Sequence, residues 1–570
     1  MMRKIILLVA GLLMIAGVRA YACTNFLVTK GASKDGSTFI SYSADSHVLY
    51  GELYFWAAAK YKPGAIRVIK EWDTGKILGQ IPEAKETYNV VGNMNEHSVM
   101  IGETTYGGRE ELADSTGLMD YGSLIYIALQ RSRNAREAIK TIAELVAEYG
   151  YHSEGESFSI GDPNEVWIME IIGKGVGNKG AVWVAVRIPD GSISGHANQA
   201  RIRTFPLENG KTSISSKNLN KIFQPDIEYV YADDVISVAR SRGYFSGDDA
   251  AFSFSDAYNP VTFSGARACE ARVWSFFKDY NQAMWQYEDY ALGHNLQNRM
   301  PLYIKPDRKL DVHDVARAMR DHYEGTKMDM TVDIGAGPFK SPYRWRPMGW
   351  KYNGVTYVHE RATATQQTGW WYVAQARHWL PNPIGGILWF GVDDAATSCL
   401  TPIYCSSNRV PAAYAVGNGD LLTYSETAAF WTFTRVTQFA YSRYNDIAPE
   451  IVKLQQELEH SFAEQVQEID RKALALYDRR DVKGAVKTVT DFSVNTAQNL
   501  VKRWKELDTY LLVKYMDGNI KKQTPEGSFA RTPEGIPAFP SQPEYPAFWY
   551  KTIVIDAGNI LIQPEGAAGH

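Results

Sequence analysis

Cysteine is scarce in this chain, and the patterns that hold metals or nucleotides are missing. Only Cys23, Cys269, Cys399 and Cys405 occur in 570 residues, too few for a disulfide-built scaffold. There is no C-x-x-C pair and no H-E-x-x-H, and the 11 histidines are scattered, so a metal mechanism has little support and no metal or cofactor is expected. Basic residues do not cluster: 60 Lys and Arg against 64 Asp and Glu give a net charge of −4. The one-sided basic footprint of a nucleic-acid binder is therefore lacking. No nucleotide-binding motif, internal repeat or long low-complexity tract is evident. Past the first residues, no apolar run approaches the roughly 20 residues that cross a bilayer.

What is present begins at the N-terminus. M-M-R-K precedes an apolar run from Ile5 to Val18, and Ala20-Tyr21-Ala22 comes directly before Cys23. A basic start, a short apolar core and small residues at −3 and −1 predict a secretory signal over 1–22. The mature chain is expected to start at Cys23, to be exported and to carry no membrane span. Its length suggests a large core with insertions or a second lobe. The 34 Tyr and 15 Trp suit a large core with aromatic-lined clefts.

Periodicity predicts the elements. The stretch from Cys23 to His47 reads as strand, turn at Asp35-Gly36, strand, and 90–105 as another strand–turn–strand. Helices follow over Asp120–Arg131 and after Asn134, where Glu137 completes a capping-box pattern and Gly150 stops the helix. A meander comes next, turning at Asp162-Pro163-Asn164 and at Asp190-Gly191, with Val182, Val184 and Val186 in phase. Strands, helices and strands again predict an α+β layered domain. We divide the chain into the signal, a core over 23–440 whose 205–440 part is mixed, and a C-terminal region over 441–570. That last region reads as a helical hairpin over Pro449–Tyr515 broken near Asp481–Gly484, a proline-rich wrap over Thr524–Pro546, and a final strand T-I-V-I-D-A. Cys399 and Cys405 are near enough in sequence to be considered as a disulfide pair.

The chemistry gathers where the signal ends. Cleavage after Ala22 leaves Cys23 with a thiol and a free α-amine, whose pKa near about 8 keeps an appreciable neutral fraction. That amine serves as general base for the thiol, so one residue supplies nucleophile and base without a histidine. Two other readings compete. An acylated lipoprotein cysteine is one, although Tyr21 fits its processing signal poorly and a strand pattern starts at once. A merely structural cysteine is the other.

The residues at this end, C-T-N-F-L-V-T-K-G-A-S-K-D-G-S-T, resemble the start of the PepD-type cysteine dipeptidases. These are N-terminal-nucleophile hydrolases related to penicillin V acylase and bile-salt hydrolase. M-N-E-x-x-V-x-I-G-E-T-T at 94–105, W-V-A-V-R-I-P-D-G at 183–191, H-A-N-Q-A-R-I at 196–202 and A-R-V-W at 271–274 keep that family's order. The resemblance implies an αββα sandwich and hydrolysis of dipeptides or short peptides by acyl transfer to Cys23. It implies Asp45 orienting the nucleophile and its amine, Asn198 holding the amine or donating to the oxyanion, and Arg272 beside the thiolate, lowering its pKa. E-T-T stands where the acylase branch carries an oxyanion asparagine, so Thr105 or a backbone N–H is expected there, and Glu103 is a candidate for the substrate's α-ammonium. The rival functions are an N-acyl amidase of the sibling type and a non-catalytic, peptide-binding envelope lipoprotein acylated at Cys23.

Overall fold

The computed structural model describes residues 23–565; the expected signal, 1–22, lies outside the described residues. The chain is mixed α/β with two main sheets and a helical C-terminal part. We label β1 (Asn25–Val28), β2 (Thr38–Asp45), β3 (Met100–Gly107), β4 (Gly155–Gly161), β5 (Val166–Gly173), β6 (Ala181–Arg187), β7 (Ile193–His196), β8 (Thr368–Ala376) and β9 (Gly386–Val392). The helices are α1 (Tyr121–Arg131), α2 (Ala135–Tyr149), α3 (Ala271–Tyr280), α4 (Val312–Met319), α5 (Ala429–Ser442), α6 (Tyr444–Asp478), α7 (Val482–Tyr515) and α8 (Ala547–Ala557).

One sheet has seven strands with β7, β1, β2, β8 and β9 at its centre; the other has nine and is built on β6, β5, β4 and β3. The turn into β2 uses Asp35, whose Oδ1 accepts from the Ser37 N–H at 2.9 Å, and Gly36 at φ +87°, a backbone state glycine adopts without penalty. Antiparallel pairing sets Leu27 opposite Ile40 and Tyr42 opposite Tyr372. Side chains alternate across a strand. Phe26 therefore points out and stacks on Phe276 of α3 at 4.2 Å between centroids, while Asn25 points in, its Nδ2 donating to the Glu103 carbonyl at 2.7 Å.

The sheets meet closely at this point. A Cβ on Gly102 would lie 2.2 Å from Asn25 Oδ1, and the Tyr372 hydroxyl donates to the Ile101 carbonyl at 2.9 Å. Buried His196 of β7 ties the layers together: its Nδ1 lies 2.7 Å from Thr104 Oγ1 and its Nε2 lies 2.7 Å from Ser159 Oγ. Burial pulls its pKa down to about 3, so the ring is neutral and fits a hydrogen-bonded core site. Helices α1 and α2 cover the outer face of the nine-stranded sheet, and α3, α4 and the α5–α7 group lie against the seven-stranded one.

Local signals place most elements. Asp120 caps α1, and Asn134 caps α2 by accepting from the Glu137 N–H at 2.9 Å. The Glu137 carboxylate reaches the Arg133 N–H, so the expected box closes one residue early. The hairpin α6–α7 breaks at Arg479–Asp481, and Asp481 caps the return helix. Glu459 of α6 is held by Arg320 at 2.6 Å, and Trp504 of α7 stacks on Phe433 of α5 at 4.8 Å.

Two expectations are corrected. The run T-I-V-I-D-A is helix α8, not a strand; it follows Pro546, and among the described residues no sheet includes it. Cys399 and Cys405 are free, as are the other two cysteines. They stand at either end of the extended strand Thr401–Tyr404, and six residues at about 3.3 Å each exceed the roughly 7 Å limit between bridged Cα atoms.

Candidate active site

Cys23 immediately precedes Thr24, which pairs with Ser43 of β2. It shares the inward parity of Asn25, so its side chain enters the space between the sheets. Cys23 is 4% exposed. Its Sγ lies 3.6 Å from the Tyr42 hydroxyl, which donates to Glu103 Oε1 at 2.7 Å. From Glu103 the polar groups continue to Glu156, whose Oε1 accepts from Thr105 Oγ1 at 2.7 Å. The Thr105 carbonyl accepts from Asn198 Nδ2 at 2.6 Å. Asn198 Oδ1 accepts from Arg272 Nη2 at 2.9 Å, and Arg272 Nη1 donates back to the Cys23 carbonyl at 2.7 Å. The network thus leaves Cys23 at its sulfur and returns at its carbonyl.

Each partner is fixed by its element. Arg272 sits at the start of α3, after a π turn over Gly265–Glu270, an irregularity often found at functional sites. Its Nε bonds the Ala268 carbonyl at 3.0 Å and its Nη1 also reaches Thr24 Oγ1 at 2.8 Å. Asn198 follows β7 with φ +58°, a left-handed state that asparagine tolerates better than most residues. Asp45 ends β2 at a register shift. Its carboxylate takes Arg361 at 2.6 Å, Thr368 Oγ1 at 2.6 Å and Ser43 Oγ at 2.8 Å.

The electrostatics oppose ionisation of the thiol. Burial pushes the thiol pKa well up, and the Glu103 and Asp45 carboxyls add to the rise. A hydrogen bond from the Asp45 backbone and one from Tyr42 act the other way. Burial also lifts Glu103 to about 7 and Glu156 well above the usual carboxylate range.

All six residues expected from sequence, Cys23, Asp45, Glu103, Thr105, Asn198 and Arg272, belong to this neighbourhood. Their contacts differ from expectation in places. Arg272 grips the Cys23 backbone through its carbonyl. Asn198 donates its side-chain N–H to the Thr105 carbonyl, and Thr105 donates its hydroxyl to Glu156. Tyr42, Glu156, Arg361 and Arg346 were not singled out from sequence. Glu156 opens E-S-F-S-I-G, where only the facing β3 shows its importance. Arg361 and Arg346 come from the mixed 205–440 stretch, and burial followed by repulsion from Arg361 lowers Arg346 to about 10. Among the described residues, no group of His, Cys, Asp and Glu is placed to hold a metal ion, and no helix is long and apolar enough to cross a membrane.

The model of peptidase family C69 matches residues 59–457. The chain belongs to peptidase family C69. The matched stretch contains Glu103, Thr105, Asn198 and Arg272 and begins after Cys23 and Asp45. Among curated relatives, a probable dipeptidase of Salmonella dublin is 25% identical over 407 residues, covering 68% of this chain and 81% of the relative. A probable dipeptidase of Latilactobacillus sakei is 24% identical over 412 residues, 69% of this chain and 76% of the relative. A probable dipeptidase B of Streptococcus pyogenes serotype M1 is 20% identical over 517 residues, 86% and 93% respectively. This C69 member is accordingly a peptidase.

Proposed function

We propose that this C69 peptidase is an exported cysteine dipeptidase whose nucleophile, Cys23, becomes active when residues 1–22 are removed. The observation that carries the proposal is the placement of Cys23: its sulfur is sunk between the sheets beside Tyr42, and its carbonyl is clamped by Arg272. The probable dipeptidases among its relatives support the substrate class. We also assign the two facing sheets and their outer helices to the N-terminal-nucleophile αββα arrangement, with 23–440 as the catalytic core and 441–570 as an added region.

In this reaction the free α-amine of Cys23 takes the thiol proton. The thiolate attacks the peptide carbonyl, a C–S bond forms, and the amine of the second residue leaves with that proton. Water, deprotonated by the same α-amine, then attacks the thioester; the acid is released and the thiol restored. Removing Ala22 reverses the electrostatics described above, because an α-ammonium next to the sulfur favours the thiolate. The Asp45 carboxylate, fixed by Arg361 and Thr368, orients the new amine. Asn198 retains one N–H beyond its bond to Thr105, and this serves the developing oxyanion.

The test pairs hydrolysis of dipeptides with hydrolysis of N-acyl substrates such as penicillin V. Cleavage of dipeptides that disappears in Cys23→Ala supports the proposal. Preferential cleavage of N-acyl compounds would place the chain with the amidases instead, and fatty-acid labelling of Cys23 would make it a lipoprotein.

A further inference from the structure

Some buried carboxylates in the molecule have a cation: Asp45 has Arg361 at 2.6 Å and Glu459 has Arg320 at 2.6 Å. The Glu103–Glu156 pair has no such partner. The two carboxyls lie diagonally across neighbouring strands β3 and β4, Thr105 standing opposite Glu156 and Glu103 two residues before it. Glu103 is 3% exposed and Glu156 fully buried, and Glu103 raises the proton affinity of Glu156 while a hydrogen bond from Glu156 lowers that of Glu103. Among the described residues neither forms an ion pair. One oxygen of each is used, by Tyr42 and by Thr105, and the second oxygen of each, Oε2, is buried with no donor other than a proton shared between the two carboxyls. Burying two such oxygens with no counter-charge is costly and is relieved by a proton or by a bound cation.

The surroundings choose between these. A third carboxylate, Asp73, acts on both glutamates. It is exposed and accepts from the Tyr121 hydroxyl at 2.8 Å, so a line of negative groups runs from the surface inward. Trp72, next to Asp73 in the chain, contacts Tyr54 at 4.9 Å and Tyr126 at 4.7 Å between ring centroids. Aromatic faces beside carboxylates form an environment that favours an organic ammonium group. The position also suits the chemistry, since Tyr42 links Glu103 to the Cys23 sulfur. In a dipeptide the α-nitrogen lies about 2.5 Å from the scissile carbonyl carbon, so a thiolate in attack range brings that nitrogen to the glutamates.

We propose that the free Oε2 atoms of Glu103 and Glu156, with Asp73 on their outer side, form the subsite for the free α-ammonium group of the substrate's first residue. This inference rests on the dipeptidase reading and adds the residues that demand an unblocked N-terminus. An ammonium donates to both oxygens and supplies the missing positive charge; an N-acyl group does neither and leaves both oxygens unpaired.

L-Ala-L-Ala and propionyl-L-Ala differ only in the ammonium group, and they provide the test. With the processed enzyme, kcat/KM should favour L-Ala-L-Ala by at least about 100-fold, as expected for two charge-assisted hydrogen bonds. In Glu103→Gln and in Glu156→Gln the preference should fall about tenfold or more, mainly through KM. Calorimetry on processed Cys23→Ala separates the subsite from the reaction: it should bind L-Ala-L-Ala and not propionyl-L-Ala, and lose that selectivity with Glu103→Gln added. Equal use or equal binding of the two compounds, or a preference unchanged in both folded variants, would mean the pair only shares a proton and would overturn the inference. Ammonium-selective binding without any dipeptide cleavage would leave the subsite standing and overturn the dipeptidase reading instead.

Discussion

The Arg272 guanidinium donates to the Cys23 carbonyl at 2.7 Å, with a second nitrogen on Asn198 Oδ1 at 2.9 Å. One side chain thereby fixes the backbone of Cys23, the proposed nucleophile, relative to the loop after β7. This is a positioning task, and it differs from lowering the thiol pKa by adjacent charge.

Replacement of Arg272 by Met should therefore lower kcat/KM by about 100-fold or more, the cost of displacing a reacting group by about 1 Å. The thiol's own titration should hardly move. The pH dependence of iodoacetamide labelling at Cys23 checks this: a curve displaced upward by a unit or more would return Arg272 to the role expected from sequence.

Chains that retain residues 1–22 should be inert. Their Cys23 has no free amine, and burial together with Glu103 and Asp45 keeps its thiol protonated at neutral pH. An Ala22→Arg precursor, blocked at the cleavage point, should show less than about 1% of processed activity and slow labelling, a loss ordinary for a missing general base. Full activity in this precursor would contradict the role given to the amine.

Stability should depend on pH through Glu103. Its folded pKa of about 7 lies above the ordinary 4.5, so the folded chain binds the extra proton. The associated stability is fully present below about pH 4.5 and is lost as pH rises through about 7, amounting to about 3 kcal/mol at most. Glu103→Gln should flatten this decline, and urea unfolding at pH 5 and pH 8 measures it. A wild type that gains stability over that range relative to the variant would reverse the assigned direction.

The sheet contact should be intolerant of volume at Gly102. An alanine there would place Cβ 2.2 Å from Asn25 Oδ1, forcing β1 and β3 apart by the first turn of the site. Gly102→Ala should cost about 1–3 kcal/mol and reduce activity; thermal unfolding and kcat/KM report the two effects. An unchanged melting temperature would show that the layers yield there.

Sequence periodicity disclosed much of this fold because several signals are local. Asp35-Gly36 makes its turn whatever surrounds it, Asn134 caps α2 through its own neighbours, and the charged stretch after Pro449 keeps a helical face for two long helices. The β-branched run Thr552–Ile555 suggests a strand but is helical, because such residues favour strands only when another strand is available. Cys399 and Cys405 are near in sequence, but an extended strand separates them. In the site, motif order pointed to Cys23, Asp45, Asn198 and Arg272, which the fold brings into one neighbourhood. The partners of those residues were hidden because they come from distant segments: Tyr42 with Glu103 is a contact between sheets, and Arg361 reaches Asp45 across more than three hundred residues. Nothing about Glu156 in its own strand distinguishes it from any other polar strand residue.

The most direct measurement is the intact mass of the exported protein together with dipeptide hydrolysis, for wild type and Cys23→Ala. The account predicts a mature wild-type chain beginning at an unmodified Cys23 that cleaves dipeptides, and a folded Cys23→Ala chain that does not. An acylated Cys23, a start at another residue, or cleavage by the alanine variant would contradict it.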